Sequence, residues 1–177
     1  MHDVGRNFQS IEFLKTQINF MSQYKLNIFH FHLTEDIAWR LQSKMYPQLT
    51  AASTMLRNPG EYYTLQELKE LNEYCKKKFI TLIPEIDMPG HSAAFKRALG
   101  IDMQTPEGLI ACKNILTEIC SELGVPLLSQ RRHAVKITDP NSLPLISDLH
   151  QSLHTLPLAE EPGETVRPRN PTPTRRQ

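Results

Sequence analysis

The sequence predicts a parallel α/β fold, and three observations lead to this prediction. Over residues 1–125, short apolar segments typical of buried strands alternate with segments of helical periodicity. The composition, with 40% hydrophobic and 22% charged residues, is that of an ordinary folded domain. Polar side chains gather where the predicted strands end, and parallel sheets bind their ligands at that edge. We therefore expect βαβ units whose right-handed crossovers place the helices on one side of the sheet.

The first unit lies at the N-terminus. Residues 1–4 have the pattern of the end of a strand, and Ser10 can cap the helix that follows. Apolar residues recur in this helix at helical spacing, at Ile11, Leu14, Ile18 and Met21. Residues 25–33 then predict a buried strand in which His30 and His32 point to the same face.

Two further units follow. Thr64 and Glu67 have the spacing of a capping box, which predicts a helix N-terminus ahead of a strand over residues 80–86. Thr105 followed by Pro106 predicts the start of a third helix, which we expect to end at Gly124. The three cysteines fall within predicted helices, and we interpret them as small core residues: Cys75, Cys112 and Cys120.

The net charge and the hydropathy of the sequence give no indication of a nucleic-acid or membrane partner. A formal net charge of +1 favours neither a nucleic acid nor an anionic membrane as partner. No apolar run approaches the ~20 residues that span a bilayer, and residues 1–4 do not have the pattern of a signal peptide. The sequence predicts no particular compartment or oligomeric state.

Titratable side chains follow two successive predicted strands. The strand over residues 25–33 is followed by Glu35 and Asp36, and the strand over residues 80–86 leads into Asp87 and His91. Taken singly, each is typical of a turn. Because the carboxyl ends of parallel strands share one edge, their convergence predicts a functional site there.

Longer motifs in the same region resemble those of a known family. They occur in its order and spacing: Asp3-Val4-Gly5-Arg6-Asn7-Phe8, Lys25-Leu26-Asn27, His30-Phe31-His32-Leu33-Thr34-Glu35-Asp36, Trp39-Arg40, Pro47-Gln48-Leu49-Thr50, Tyr63-Thr64 and Pro84-Glu85-Ile86-Asp87-Met88-Pro89-Gly90-His91. Over residues 1–126 the chain resembles the family 20 glycoside hydrolases, the β-N-acetylhexosaminidases. The resemblance implies the first three to four β/α units of a (β/α)8 TIM barrel.

The resemblance also implies a reaction and roles for four residues. In such enzymes the 2-acetamido oxygen of the substrate attacks the anomeric carbon, and an adjacent Asp-Glu pair on strand four polarises that group and protonates the leaving oxygen. By motif, His91 with Glu35 or Asp36 supports the acid, and Arg6 holds hydroxyls of an N-acetylhexosamine in the glycan substrate. The family usually has Asp-Asp or Glu-Asp at the position of Glu35-Asp36. We expect no cofactor and no metal ion.

The chain departs from the family pattern after Pro126. No Asp-Glu dipeptide occurs in the 177 residues, and by collinearity the pair would fall on His133 and Ala134. Arg131 and Arg132 would carry a large desolvation penalty in a buried strand. We therefore divide the chain into a partial barrel over residues 1–126, a divergent segment over 127–154 and a disordered tail over 155–177.

A displaced reading frame near Leu127 is one hypothesis for this divergence. All aromatic residues of the chain lie at or before Phe95, and the tail from Thr155 is rich in proline and arginine. Out-of-register glycine codons can encode arginine. The nucleotide sequence tests the hypothesis, which is wrong if no single-base shift near codon 127 restores a strand that ends in Asp-Glu.

Three functions follow from these observations. The chain can be a fragment of a β-N-acetylhexosaminidase whose own activity is doubtful because the catalytic pair is absent. It can instead be an inactive remnant or a sugar-binding module. A metal-dependent barrel hydrolase is the third interpretation, since His30 and His32 face one way with carboxylates nearby.

Overall fold

A computed structural model describes residues 1–123 of the chain. Its sheet has three parallel strands in the order β1-β2-β3, with β1 at His2–Asp3, β2 at Ile28–His32 and β3 at Thr81–Glu85. Asp3, His32 and Glu85 pair across the sheet and so form one row at its carboxyl end. The α/β prediction is confirmed, and the structure shows a partial sheet of three strands among the described residues.

Helices α1 and α2 connect the strands and begin where the sequence predicts. Helix α1 spans Ile11–Gln23, and the Ser10 side chain accepts a hydrogen bond from the Phe13 amide. Helix α2 spans Leu65–Lys77 and has the complete capping box of Thr64 and Glu67. These caps satisfy amide groups that the first turn of a helix leaves without partners.

Two helices follow β3. Helix α3 spans Ala93–Leu99 and ends at Gly100, whose φ of 71° suits a residue without a Cβ atom. Helix α4 spans Pro106–Leu123, and the Thr105 hydroxyl accepts a hydrogen bond from the Gly108 amide. The sequence predicts α4 but not α3, because seven residues are too few to show a clear helical period.

The two faces of the sheet differ in chemistry. Phe29 and Phe31 of β2 pair with Leu82 and Pro84 of β3 on the face that packs against the helices. The opposite face carries His30, His32 and Glu85 in the same two strands. The main apolar core therefore lies between sheet and helices, and it includes Leu14, Ile18, Leu68, Leu71, Cys75, Ile115 and Ile119.

The long segment between β2 and α2 is ordered around Arg40. This side chain is fully buried, and it donates hydrogen bonds to the carbonyl oxygens of Val4, Arg57, Asn58 and Glu61 at 2.7–3.1 Å. Burial lowers the pKa of the guanidinium. Because a buried cation is stable only when its donors are satisfied, these acceptors fix the segment against the end of β1.

Several sequence-based predictions concern single residues or the C-terminal part. Cys75 and Cys112 are buried as predicted, whereas Cys120 is only half-buried and so lies at the margin of the core. Residues 127–154, including the expected catalytic position at His133, and the tail over 155–177 lie outside the described residues. Within residues 1–123, none of the helices is long and apolar enough to cross a membrane.

Candidate active site

The candidate site lies at the carboxyl end of the sheet and starts from the row Asp3, His32 and Glu85. His32 and Glu85 are almost completely buried, and His32 Nδ1 lies 3.1 Å from Glu85 Oε2. His30 lies two residues earlier in β2, and its Nε2 atom contacts the same carboxylate oxygen. Both histidines therefore face one carboxylate, in agreement with the prediction that they point to the same face.

His32 also faces a ring of carboxylates through its other nitrogen. His32 Nε2 lies 4.0 Å from Asp3 Oδ1, 3.8 Å from Glu35 Oε1 and 3.9 Å from Asp87 Oδ2. These distances exceed those of hydrogen bonds, but each is short enough for a strong electrostatic interaction away from bulk water. The imidazole therefore lies at the centre of the acidic groups from all three strand ends.

Glu85 and Asp87 respond differently to burial. Burial raises the pKa of Asp87 to about 6, and a hydrogen bond with Glu85 adds to the shift. Burial also acts to raise the pKa of Glu85, but hydrogen bonds with His32 and Asp87 and the nearby imidazoles outweigh it, so that pKa lies below its usual value. The pair thus separates into a carboxylate that ionises readily and one that retains its proton to higher pH.

Arg6 lies beside these carboxylates, directly after β1. Its Nη1 atom contacts Asp3, its Nη2 atom contacts Glu35, and its side chain is 47% exposed. Burial acts to lower the pKa of Arg6. The hydrogen bond with Asp3 and the charges of Glu35, Asp3 and Asp87 outweigh this effect, so the pKa of Arg6 lies above its usual value. The guanidinium is therefore fixed on its inner side, while its outer side faces solvent.

Gly5 allows Arg6 and Glu35 to approach each other. The amides of Val4 and Gly5 both donate to the His32 carbonyl oxygen, at 3.1 and 3.3 Å. A Cβ atom on Gly5 would lie 2.9 Å from Glu35 Cβ and 3.1 Å from the Thr34 carbonyl carbon. This close contact explains why the turn that carries Arg6 contains a residue without a side chain.

His91 completes the site from the segment after β3. Its Nδ1 atom lies 3.0 Å from Glu35 Oε1 and 3.5 Å from Asp36 Oδ2. His91 has a φ of 50°, in the left-handed region that few residues other than glycine occupy. Glu35 is 2% exposed, whereas the Asp36 side chain is 54% exposed. The structure therefore brings together all four residues singled out from the sequence: Arg6, Glu35, Asp36 and His91.

This geometry can be compared with known families. The model of the catalytic domain of glycosyl hydrolase family 20 matches residues 1–130. The chain belongs to glycosyl hydrolase family 20. The match includes each of the four residues, and it agrees with the resemblance inferred from the motifs.

Curated relatives from this family match the chain over part of their length. A beta-hexosaminidase of Porphyromonas gingivalis is 46% identical over 99 residues, which cover 53% of this chain and 13% of that protein. A beta-hexosaminidase of Vibrio furnissii is 40% identical over 113 residues, which cover 56% of this chain and 18% of that protein. The family 20 chain therefore spans less than a fifth of the length of these two relatives.

Solved structures of the family have a similar backbone. A beta-N-acetylhexosaminidase from Bacteroides fragilis has a TM-score of 0.70 and 32% identity, and the match covers 85% of this chain and 35% of that one. An exo beta-N-acetylglucosaminidase from Vibrio harveyi, in complex with N-acetylglucosamine, has a TM-score of 0.71 and 28% identity, with 86% and 29% covered. Family 20 catalytic domains of this type imply a TIM-barrel fold.

Two overlapping groups in the candidate site place potential metal ligands within 4.8 Å of one another. One group is His32, Glu35 and Asp87, and the other is Glu35, Asp36 and His91. Glu35 belongs to both, and its Oε1 atom contacts Arg6. A metal ion would compete with the guanidinium for this oxygen. The geometry therefore favours Glu35 as the partner of Arg6 and His91.

Sequence reasoning gave no role to three residues that shape the candidate site. Asp3 contacts Arg6, Arg40 fixes the end of β1, and Arg97 contacts the Asp36 segment. Arg40 could have been suspected because it lies within the apolar run Ala38-Trp39-Arg40-Leu41, where a charged residue must find buried acceptors. Asp3 stands three residues before Arg6, a spacing that could have suggested their ion pair, whereas Arg97 has no comparable signal because its partners are distant backbone carbonyl oxygens.

Proposed function

We propose that this chain supplies the substrate-holding and acid-supporting side of a β-N-acetylhexosaminidase site. The enzyme class would hydrolyse terminal N-acetylhexosamine from glycans by the substrate-assisted retaining mechanism. The observation that carries the proposal is the convergence of Arg6, Glu35 and His91, in which one buried carboxylate contacts both a guanidinium and an imidazole.

Arg6 would bind the sugar at the non-reducing end. Its inner side is paired with Asp3 and Glu35, so the planar fork is held in one orientation. Vicinal hydroxyl groups match the spacing of guanidinium donors, and a fixed fork loses little conformational entropy on binding. Its exposed side would therefore donate to sugar oxygens.

His91 would support the general acid. An acid that works near neutral pH needs neighbours that adjust its pKa, and an imidazole held by carboxylates can do this. Glu35 lies 3.0 Å and Asp36 3.5 Å from His91 Nδ1, and they would orient the ring. The acid itself would be the glutamate of an Asp-Glu pair, and the sequence contains no such dipeptide.

The chain is accordingly proposed to be a fragment with little or no turnover of its own. The test is hydrolysis of 4-nitrophenyl N-acetyl-β-D-glucosaminide by the chain and by its His91→Ala variant. We expect no release of nitrophenol above that of the variant, because the sequence contains no Asp-Glu pair to protonate the leaving oxygen. Turnover that depends on His91 would contradict the proposed inactivity and would show that another residue acts as the acid.

Turnover measurements, together with sugar and zinc binding, separate this proposal from the alternatives. A sugar-binding module or inactive remnant would bind N-acetylglucosamine without hydrolysing any glycoside, even when the missing Asp-Glu strand is restored by engineering. In a fragment of the enzyme, that restored strand would produce turnover. A metal-dependent hydrolase would bind one equivalent of zinc tightly, and its activity would fall on chelation.

A further inference from the structure

Arg97 connects the segment that carries His91 to the loop that carries Asp36. It lies in α3, and its Nη2 atom donates to the carbonyl oxygens of Asp36 at 2.5 Å and Ile37 at 3.1 Å. Its Nε atom donates to the Thr54 carbonyl oxygen at 3.0 Å. One guanidinium therefore joins two separate parts of the segment between β2 and α2.

The same helix holds the side chain of Asp36. The Ala93 amide donates to Asp36 Oδ1 at 3.0 Å, while His91 Nδ1 lies 3.5 Å from Asp36 Oδ2. The segment over residues 91–97 thus contacts both carboxylate oxygens and the carbonyl oxygen of Asp36. Since the Asp36 side chain is about half exposed, core packing does little to fix its position.

The chemistry of these contacts requires arginine. Three carbonyl oxygens in different directions need several donors in one rigid plane, which a guanidinium provides and an ammonium group does not. The three acceptors of the Arg97 side chain are backbone carbonyl oxygens, so its role is to hold backbone and not to neutralise a charge.

We propose that Arg97 is a positioning residue that holds the Glu35-Asp36 turn against His91. Its loss would let the turn move away from α3, which would lengthen the contacts from Asp36 to Ala93 and His91. The catalytic consequence rests on the proposed function, because the turn matters for hydrolysis only if His91 supports an acid. The positioning itself can be measured without any activity.

The experiment is amide hydrogen exchange on the full chain and on three variants. Arg97→Ala removes all three hydrogen bonds, Arg97→Lys keeps the positive charge but lacks the planar guanidinium, and Lys96→Ala is the matched control. Lys96 is the neighbouring residue on α3, and it contacts Asp102 at 3.3 Å instead of the turn. We expect exchange at the Ala93 amide to rise at least tenfold in Arg97→Ala, less in Arg97→Lys, and not in Lys96→Ala.

An internal reference separates positioning from general destabilisation. The Leu33 amide donates to the Glu85 carbonyl oxygen within the sheet, at 3.1 Å. Its exchange should be the same in all four proteins. Equal protection of Ala93 in Arg97→Ala and wild type would overturn the proposal, and so would a parallel loss of protection at Leu33.

Binding of N-acetylglucosamine distinguishes failure of this inference from failure of the proposed function. If wild type binds the sugar and Arg97→Ala retains Ala93 protection, the positioning role is wrong and the proposed function stands. If Ala93 loses protection only in the Arg97 variants and wild type does not bind the sugar, the positioning role stands and the proposed function is wrong.

Discussion

At the scale of residues, buried carboxylates define the site. Glu35, Glu85 and Asp87 are each at most 2% exposed, and Asp3 lies beside them. Arg6, a permanently charged cation, contacts Asp3 and Glu35 of this group. The imidazoles of His30, His32 and His91 also contact these carboxylates. The stability of the chain should therefore depend on pH in a way that single substitutions can assign.

Asp87→Asn tests this dependence. The folded-state pKa of Asp87 is raised from 3.8 to about 6, so between these values the folded chain retains a proton that the unfolded chain releases. Stability from this group is present below pH 4 and is lost as pH rises to 6. As pH rises through this window, wild type should therefore lose about 2–3 kcal/mol in free energy of unfolding relative to Asp87→Asn, whose side chain does not titrate.

Urea unfolding at several pH values measures this difference. Glu85 acts at lower pH, because its depressed pKa gives stability that is lost only as the pH falls below its ordinary value of 4.5. A difference that stays constant from pH 4 to 6 would show that Asp87 has no raised pKa in the folded chain.

Gly5→Ala tests the close contact of the two turns. The new Cβ atom would lie 2.9 Å from Glu35 Cβ, so the turn must move and Arg6 must shift from Glu35. We expect a loss of about 1–3 kcal/mol in the free energy of unfolding. Gly100→Ala is the control for steric contact. A Cβ atom at residue 100 meets nothing within 4 Å, so that substitution strains only the backbone, through its positive φ. Unchanged stability of Gly5→Ala would contradict the described packing.

At the scale of elements, helix caps were predictable and the helix that shapes the site was not. Ser10 and Thr64 were identified from local chemistry, because a capping side chain acts on amides within three residues. The common face of His30 and His32 followed from the two-residue period of a strand. Helix α3 has no such local signature, and its Arg97 contacts backbone carbonyl oxygens that are distant in sequence.

Thr64→Ala tests the contribution of a cap. The Thr64 hydroxyl accepts a hydrogen bond from the Glu67 amide at 3.1 Å, and the Glu67 carboxylate accepts from the Thr64 amide at 2.8 Å. Loss of the hydroxyl should lower the free energy of unfolding by about 1 kcal/mol. Thr16→Ala, in the exposed interior of α1, should change it by less than about 0.5 kcal/mol. Equal effects of the two substitutions in thermal unfolding would contradict the capping role.

At the scale of the whole molecule, the sheet has one apolar face and one face with titratable side chains. The apolar face packs against helices, while the opposite face carries His30, His32 and Glu85. In a family 20 barrel this second face would point inward, and the four site residues would lie at its carboxyl rim. The general acid could not be placed from the sequence, because the matching position at His133 has a different chemistry and lies outside the described residues.

The central claim is that this rim binds an N-acetylhexosamine through Arg6. A titration of the chain with N-acetylglucosamine, followed by NMR signals of the Arg6 and His91 side chains, tests it most directly. We predict saturable shifts of both signals in wild type. Affinity should be at least tenfold weaker in Arg6→Lys, which keeps the charge but lacks the planar fork. Absence of saturable shifts in wild type, or equal affinity in Arg6→Lys, would contradict the claim.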